Sequence, residues 1–161
     1  MLGKASDPLL EKTEQALISK VAPNLKDAMI KVIHAGLTIM YSPQLAQQRN
    51  QRLAQANNPP QDAAGSASRL MAELYKQSKG AIPKPVLIPS TIVLALEYLD
   101  LVAKLGKVKI TPNLIAQATQ DTCDAMLAGM GVNQQQLTSM IQAKKGAQPA
   151  PGIVGAPQQG A

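Results

Sequence analysis

Aromatic residues are almost missing from this chain of 161 residues. It has no tryptophan and no phenylalanine, and its three tyrosines are Tyr41, Tyr75 and Tyr98. A core without large rings must be built from leucine, isoleucine, valine, alanine and methionine, side chains that favour close and adaptable helix packing. Because small-molecule pockets usually contain aromatic side chains, their scarcity favours a packing or interaction role over ligand binding.

Cysteine and histidine are each represented once, by Cys123 and His34. A single cysteine excludes an intrachain disulfide and a thiolate metal cage. Nucleophilic catalysis would require His34 and Cys123 to converge, with Asp121 or Asp124 as orienting group, but His34 falls in a stripe of ordinary polar residues. We therefore predict that the protein is not an enzyme and has no catalytic, cofactor-binding or metal-binding residues.

Asp121 with Asp124, and Glu97 with Asp100, are pairs of acidic residues one helical turn apart. Helical bundles that hold metal ions with such pairs also need Glu-x-x-His pairs on several helices. The sequence has no such pair, and it has no phosphate-binding Gly-x-x-x-x-Gly-Lys-Ser/Thr motif. These carboxylates are predicted to lie on solvated helix faces.

The formal net charge is +6, which permits contact with nucleic acid, an anionic membrane or an acidic partner without selecting among them. Two groups of lysines flank the most apolar part of the chain. These candidate phosphate-contacting residues are Lys76, Lys79, Lys84, Lys104, Lys107 and Lys109. Contact with DNA through them would be non-specific, because specific readers place Arg, Asn or aromatic groups at fixed positions.

No apolar signal core is present near the amino terminus, and the longest nearly uncharged run is 85–96. A membrane-spanning helix needs about 20 apolar residues. We therefore predict no signal peptide and no transmembrane helix.

Six helices are predicted from apolar spacing and end signals, with a seventh, short one beginning after Asn133. Asp7-Pro8 and Thr111-Pro112 are typical helix starts, Asn24 is a predicted cap, and Gly106 is a predicted stop. The six ranges are 9–22, 25–41, 44–56, 61–78, 91–105 and 112–128.

The segment 82–89 contains three prolines among apolar residues, and the very apolar helix 91–105 follows it. The prolines predict an extended strap, and its apolar residues predict that the strap is covered by the fold or by a partner. Glu97, Asp100 and Lys104 are predicted to form the wet edge of the helix. The candidate interface residues are Ile82, Pro83, Pro85, Val86, Leu87, Ile88, Pro89, Ile153 and Val154.

The chain end, residues 146–161, consists mainly of Gly, Pro, Ala and Gln and cannot bury enough apolar surface to fold alone. The predicted organisation is one helical domain over 1–145, with 44–60 as a polar arm or hairpin, followed by a disordered or partner-bound tail. The fold class is all-α, an irregular bundle of five to seven helices.

Four features of the sequence belong together: Ala/Gln-rich helices (44–61 and 117–136), a near absence of aromatics, a Gly/Pro/Gln tail and the run G-A-I-P-K-P-V-L-I-P-S-T-I-V-L. In this the chain resembles the small helical virion proteins of tailed bacteriophages, particularly the internal or ejected proteins of short-tailed phages. The resemblance implies a multi-copy protein that packs against portal, tail or DNA, in the virion or, before assembly, in the host cytoplasm. It implies no particular functional residue.

The leading hypothesis is a non-enzymatic structural subunit of a larger assembly, a phage virion component whose partners are other protein subunits. One alternative is a membrane-active ejection protein that forms part of a conduit and reaches the membrane only after rearrangement. The other is a basic, non-specific nucleic-acid-binding helical protein.

Overall fold

The computed structural model describes residues 5–131 together with Ser139 and Gln142. These residues contain six α-helices, one 3-10 turn (Pro43–Leu45) and no strand, so the predicted all-α class and helix number are confirmed. The helices are α1 (Pro8–Lys20), α2 (Pro23–Met40), α3 (Ala46–Ala54), α4 (Pro59–Gln77), α5 (Lys84–Lys104) and α6 (Pro112–Gly129).

The chain divides into two compact units, Met1–Met126 and Leu127–Ala161. The first contains α1 to α5 and most of α6. Of the short helix predicted after Asn133, only Ser139 and Gln142 are described, and both are helical. The predicted boundary between 145 and 146 falls outside the described residues.

Two helix starts are made by the side chains that the sequence indicates. The Asp7 side chain accepts a hydrogen bond from the Leu9 backbone N–H at 2.8 Å, and the Thr111 hydroxyl oxygen accepts one from the Leu114 N–H at 3.1 Å. Each bond satisfies an N–H that has no partner within its helix. Helix α2 differs: it begins at Pro23, without a side-chain cap, so the cap predicted at Asn24 is wrong.

Helix α5 lies at the centre of the first unit and packs against α4, α2 and α1. Every residue from Ser90 to Asp100 is buried. A helix that is apolar on all sides is stable in water only when neighbouring elements surround it. Helices α4, α2 and α1 therefore form its cover.

Helices α4 and α5 form an antiparallel hairpin. Tyr98, late in α5, shares a side-chain hydrogen bond with Ser66, early in α4. The turn opens with Lys79 in the left-handed region at φ 55°, and the Gly80 N–H donates to the Tyr75 carbonyl at 3.0 Å. This Schellman arrangement satisfies the last carbonyls of α4 and directs the chain back along it.

The other end of α5 is terminated in the same way. Gly106 has φ 71°, and the Lys107 N–H donates to the Val102 carbonyl at 3.3 Å. A left-handed residue at this position is usually glycine because it has no Cβ to clash with the backbone. The helix stop predicted at Gly106 is confirmed.

Helix α2 packs tightly against α5 at Gly36. A Cβ built on Gly36 would lie 2.7 Å from both methyl carbons of Leu94, and Leu94 is fully buried. The missing side chain therefore makes the space that Leu94 fills.

The extended strap predicted for 82–89 is wrong, because α5 already begins at Lys84. Pro83 is the residue before the helix and Pro85 its second residue, where a backbone N–H has no partner in the helix and its loss is harmless. Only Pro89 lies in the helix interior and removes one bond, to the Pro85 carbonyl. Ser90, which directly precedes the predicted helix 91–105, lies inside α5 and is buried.

The predicted polar arm contains the 3-10 turn and α3, and three contacts fasten it. Leu53 is 2% exposed and belongs to the hydrophobic core. A guanidinium nitrogen of Arg49 donates to the Met40 carbonyl at 2.8 Å, and the Lys107 ammonium donates to the Ala54 carbonyl. Both bonds satisfy carbonyls at helix ends, α2 and α3 respectively.

We expect Pro89→Ala to stabilise the protein by about 2 kcal/mol, because a proline in a helix interior costs about 3 kcal/mol and up to about 1 kcal/mol of that gain is offset by a more flexible unfolded chain. Pro85→Ala is the matched control and is expected to destabilise by about 0.4–1 kcal/mol, since only the unfolded-state effect remains. Urea unfolding followed by circular dichroism measures both changes. Equal effects of the two substitutions would show that Pro89 does not interrupt α5.

Candidate functional site

Three carboxyl groups are buried where α1 packs on α5. Glu14 of α1 is 4% exposed, and Glu97 and Asp100 of α5 are 0% and 2% exposed. We call these three residues the carboxylate cluster. The sequence predicts Glu97 and Asp100 as a wet edge, and that prediction is wrong because α1 and the residues before it cover this side of α5. Only Lys104, with its side chain 47% exposed, reaches water.

The cluster holds the chain segment that precedes α1. The Ala5 backbone N–H donates to one Glu97 oxygen at 3.1 Å, and the Ser6 hydroxyl donates to Asp100 at 3.2 Å. From α2, the Tyr41 hydroxyl donates to the second Glu97 oxygen at 3.1 Å. The acids on α5 therefore join three parts of the chain that are distant in sequence.

Asp100 is also paired within its own helix. Its second oxygen lies 2.6 Å from the Lys104 ammonium, one turn along α5. Because the carboxylate is buried and the ammonium reaches the surface, the pair connects the cluster to solvent through a flexible side chain.

The Glu14 carboxyl group is in a different situation. Its Oε1 atom is buried, and the described residues place no hydrogen-bond partner on it. Burial raises its pKa to about 8, and the negative charges of Glu97, Asp100 and Glu11 contribute in that order. Removing water from a carboxyl group disfavours its charged form, so Glu14 is protonated at neutral pH.

Tyr41 remains a hydrogen-bond donor over the same pH range. Burial raises the pKa of its hydroxyl, and the nearby Glu97 carboxyl raises it further. A buried phenol next to an acid keeps its proton because its anion would be both desolvated and repelled.

The chemistry that this geometry supports is proton binding and hydrogen bonding. Within the part of the chain that the structure describes, no three His, Cys, Asp or Glu side chains are placed to hold a metal ion.

Sequence reasoning missed the cluster, although one signal pointed to it. In α1 the apolar positions Leu10, Leu17 and Ile18 recur at helical spacing, and Glu14 falls on the same face. An acid on the apolar face of an amphipathic helix is a candidate for burial. Without knowing that α1 covers α5, the acids of the two helices could not be placed together.

The candidate interface residues divide between core and surface. Val86 and Leu87 are buried in the protein's own core, so they are unavailable to a partner. Pro85 is exposed and Ile82, Pro83, Ile88 and Pro89 are partly exposed; we call these five residues the proline corner. Ile153 and Val154 lie outside the described residues.

All six candidate phosphate-contacting lysines are exposed. Lys76, Lys79 and Lys84 lie around the α4–α5 turn, and Lys104, Lys107 and Lys109 follow the other end of α5. Since α5 has 21 residues, the two groups are separated by about 30 Å along its axis. That distance exceeds the Debye length of about 8 Å at physiological salt, so they act as two separate positive surfaces.

The residues of the hypothetical nucleophilic pair have ordinary surroundings. His34 is exposed on α2. Cys123 is partly buried on α6, where burial raises the pKa of its thiol and Asp124 raises it further, which disfavours the reactive thiolate. Asp121 and Asp124 accept hydrogen bonds from Gln117 at 2.8 Å and Gln120 at 2.9 Å, as helix-surface acids do.

By length and composition, α5 is the one helix among the described residues that could cross a membrane. Its most apolar 18-residue window has a mean hydropathy of 1.8, but 78% of that window is buried inside the protein. The core helix of a soluble protein has the same properties, so this observation alone does not distinguish the two.

Comparison of the chain with protein-family models, with curated proteins and with solved structures finds no match.

We expect Tyr41→Phe to lower the free energy of unfolding by about 1–3 kcal/mol, because it removes the donor to a buried Glu97 oxygen. Urea or thermal unfolding at pH 7 measures the change. Tyr75→Phe, which removes a hydroxyl from a partly exposed ring at the end of α4, is the matched control and is expected to change stability by less than about 0.5 kcal/mol. Similar losses in both variants would show that the Tyr41–Glu97 bond contributes no specific stability.

Proposed function

We propose that this chain is a non-catalytic interaction subunit of a larger protein assembly and that it contacts a neighbouring protein through the proline corner. The observation that carries this proposal is the composition of that corner. Isoleucines and prolines that are exposed or partly exposed lie at the start of α5, and exposed Lys76, Lys79 and Lys84 lie around the α4–α5 turn beside it.

The corner is rigid. Pro83 and Pro85 restrict the backbone at the start of α5, the Schellman turn holds the end of α4, and Val86 and Leu87 anchor the first turn in the core. A surface that is already ordered loses little conformational entropy on binding. This supports a docking role for the corner more than for a flexible loop of the same composition.

The charge around the corner selects the kind of partner. Three lysines surround an apolar centre, so the complementary surface is an apolar protein patch with an acidic rim. A second copy of this chain docked corner to corner would bring three further lysines, and like charges oppose such contact. The proposed partner is therefore a different protein.

The kind of assembly is proposed from the compositional resemblance alone. Ala/Gln-rich helices, few aromatics and a Gly/Pro/Gln tail favour a tailed-phage particle, with the chain near portal, tail or packaged DNA. Non-specific contact with DNA through either lysine group remains the competing role for these charges.

We expect a photo-crosslinking amino acid placed at the exposed Pro85 to give discrete protein adducts in cells that naturally make this protein. Charge reversal of Lys76, Lys79 and Lys84 to Glu should abolish the adducts, because it places acids opposite an acidic rim. Mass spectrometry of the adducts identifies the partner.

Reversal of Lys12, Lys20 and Lys31, three exposed lysines of α1 and α2, is the matched control and should leave the adducts unchanged. The same crosslinker at exposed Ala116 controls for random encounters. Adducts with nucleic acid alone, or protein adducts that survive the first triple reversal, would contradict the proposed role of the corner.

A membrane-active role is the second candidate, and the length and hydropathy of α5 favour it. In this role α1, α2 and α4 would have to leave α5 before it could enter a bilayer. The leading proposal requires no such rearrangement.

In a flotation assay with vesicles of phosphatidylcholine and phosphatidylglycerol at pH 7, we expect the chain to remain at the bottom of the gradient, because its apolar helix is covered. Vesicles of phosphatidylcholine alone distinguish insertion from surface attraction of the lysines. Flotation with both vesicle types, together with protection of α5 from added protease, would favour the membrane role over the leading proposal.

A further inference from the structure

The contact between α1 and α5 combines two features that oppose each other. Leu10 of α1 is fully buried and stabilises the contact through the hydrophobic effect. One turn further along α1, Glu14 is buried beside the acids of α5 with its Oε1 unpaired among the described residues. Buried carboxyl groups are normally paired or uncharged, so this contact depends on the ionisation state of Glu14.

The charged and titratable groups around Glu14 come from three helices. Glu97 and Asp100 face it from α5 and Glu11 lies on its own helix, and all three oppose its ionisation. Tyr41, directly after α2, donates a hydrogen bond from its hydroxyl to Glu97. Two cations lie next to these groups in the part of the chain that the structure describes, and both are engaged: Lys104 pairs with Asp100, and Arg49 donates to the Met40 carbonyl.

The segment before α1 is tied to the same place. Ala5 and Ser6 bond to Glu97 and Asp100, and Asp7 caps α1 itself. A movement of α1 away from α5 therefore breaks these bonds and uncovers the acids together with the apolar surface under Leu10.

We propose that α1 and residues 5–7 form a proton-dependent latch on α5, which is closed while Glu14 carries its proton and opens when that proton is lost. Opening exposes part of the α5 surface without requiring α2 or α4 to move. The latch is independent of the proline corner, so it can be correct whether or not the proposed function is.

The direction of the pH effect follows from linkage. In the closed state Glu14 titrates at about 8, and in a separated α1 it titrates near its ordinary value of 4.5. Between these values each opening event releases a proton, so the opening equilibrium constant rises about tenfold per pH unit. Below this window the proton is bound in both states and above it in neither, so the constant is level.

Hydrogen exchange of backbone amides in the full chain tests the latch. The wild-type exchange rate of α1 peptides is divided by the rate in Glu14→Gln at each pH from 5 to 8, which cancels the intrinsic pH dependence of exchange. We expect this ratio to rise by up to about tenfold per pH unit for α1. The same ratio for peptides from 112–126 of α6 should remain constant.

Glu11→Gln is the matched control, because it removes a carboxyl group from the same helix one turn earlier at a partly exposed position. It should preserve the wild-type pH dependence of α1. If Glu14→Gln does not fold, Glu14→Leu replaces it as the uncharged reference. The proposal would be overturned by an α1 ratio that does not change with pH, or by an α6 ratio that rises with pH in the same way. It would also be overturned if Glu11→Gln removed the pH dependence of α1 exchange as Glu14→Gln does.

Discussion

Burial of the middle of α5, from Ser90 to Asp100, is the constraint on which the rest of this structure depends. A helix that is apolar on every side has no face that tolerates water, so covering it decides where the other helices lie. Helices α4, α2 and α1 pack around it, and the turns at Lys79 and Gly106 return the chain at its two ends. With no phenylalanine or tryptophan in the sequence, this packing relies on aliphatic side chains and on close backbone approach.

Burying the middle of α5 also buries the acidic residues Glu97 and Asp100. Glu97 and Asp100 could have been left at the surface only if one side of the helix were open. Instead they are enclosed, and hydrogen bonds from Ala5, Ser6 and Tyr41 satisfy them. The amino-terminal part of the described chain is thereby held by groups that are costly to bury, and Glu14 adds a carboxyl group that is tolerated only in its neutral form. The acids thus define where α1 packs on α5, and they make this packing depend on the protonation of Glu14.

Sequence signals at helix ends predicted most of the helices of this fold. How the helices pack against one another did not follow from those signals. Asp7-Pro8, Thr111-Pro112 and Gly106 mark helix ends through backbone geometry that is independent of the rest of the protein. The strap was mispredicted because three prolines were treated as equivalent, although only Pro89 removes a bond that the helix would make. The carboxylate cluster was missed because the spacing of Glu97, Asp100 and Lys104 shows only that they share one side of α5. Whether that side is exposed to solvent depends on where α1 packs. The division of the strap into a buried part and an exposed corner likewise depends on which side α4 covers.

The contact between Gly36 and Leu94 constrains how this sequence can diverge. Any side chain at position 36 needs the volume that the Leu94 methyl groups occupy, so neither position can vary freely while α2 and α5 keep their separation. A side chain at position 36 requires a smaller residue at position 94, or a shift of α2 that would also displace Tyr41 from Glu97. Distant relatives of this protein should therefore preserve the combined size of the two side chains rather than the identity of either, which provides a criterion for recognising them when overall identity is low.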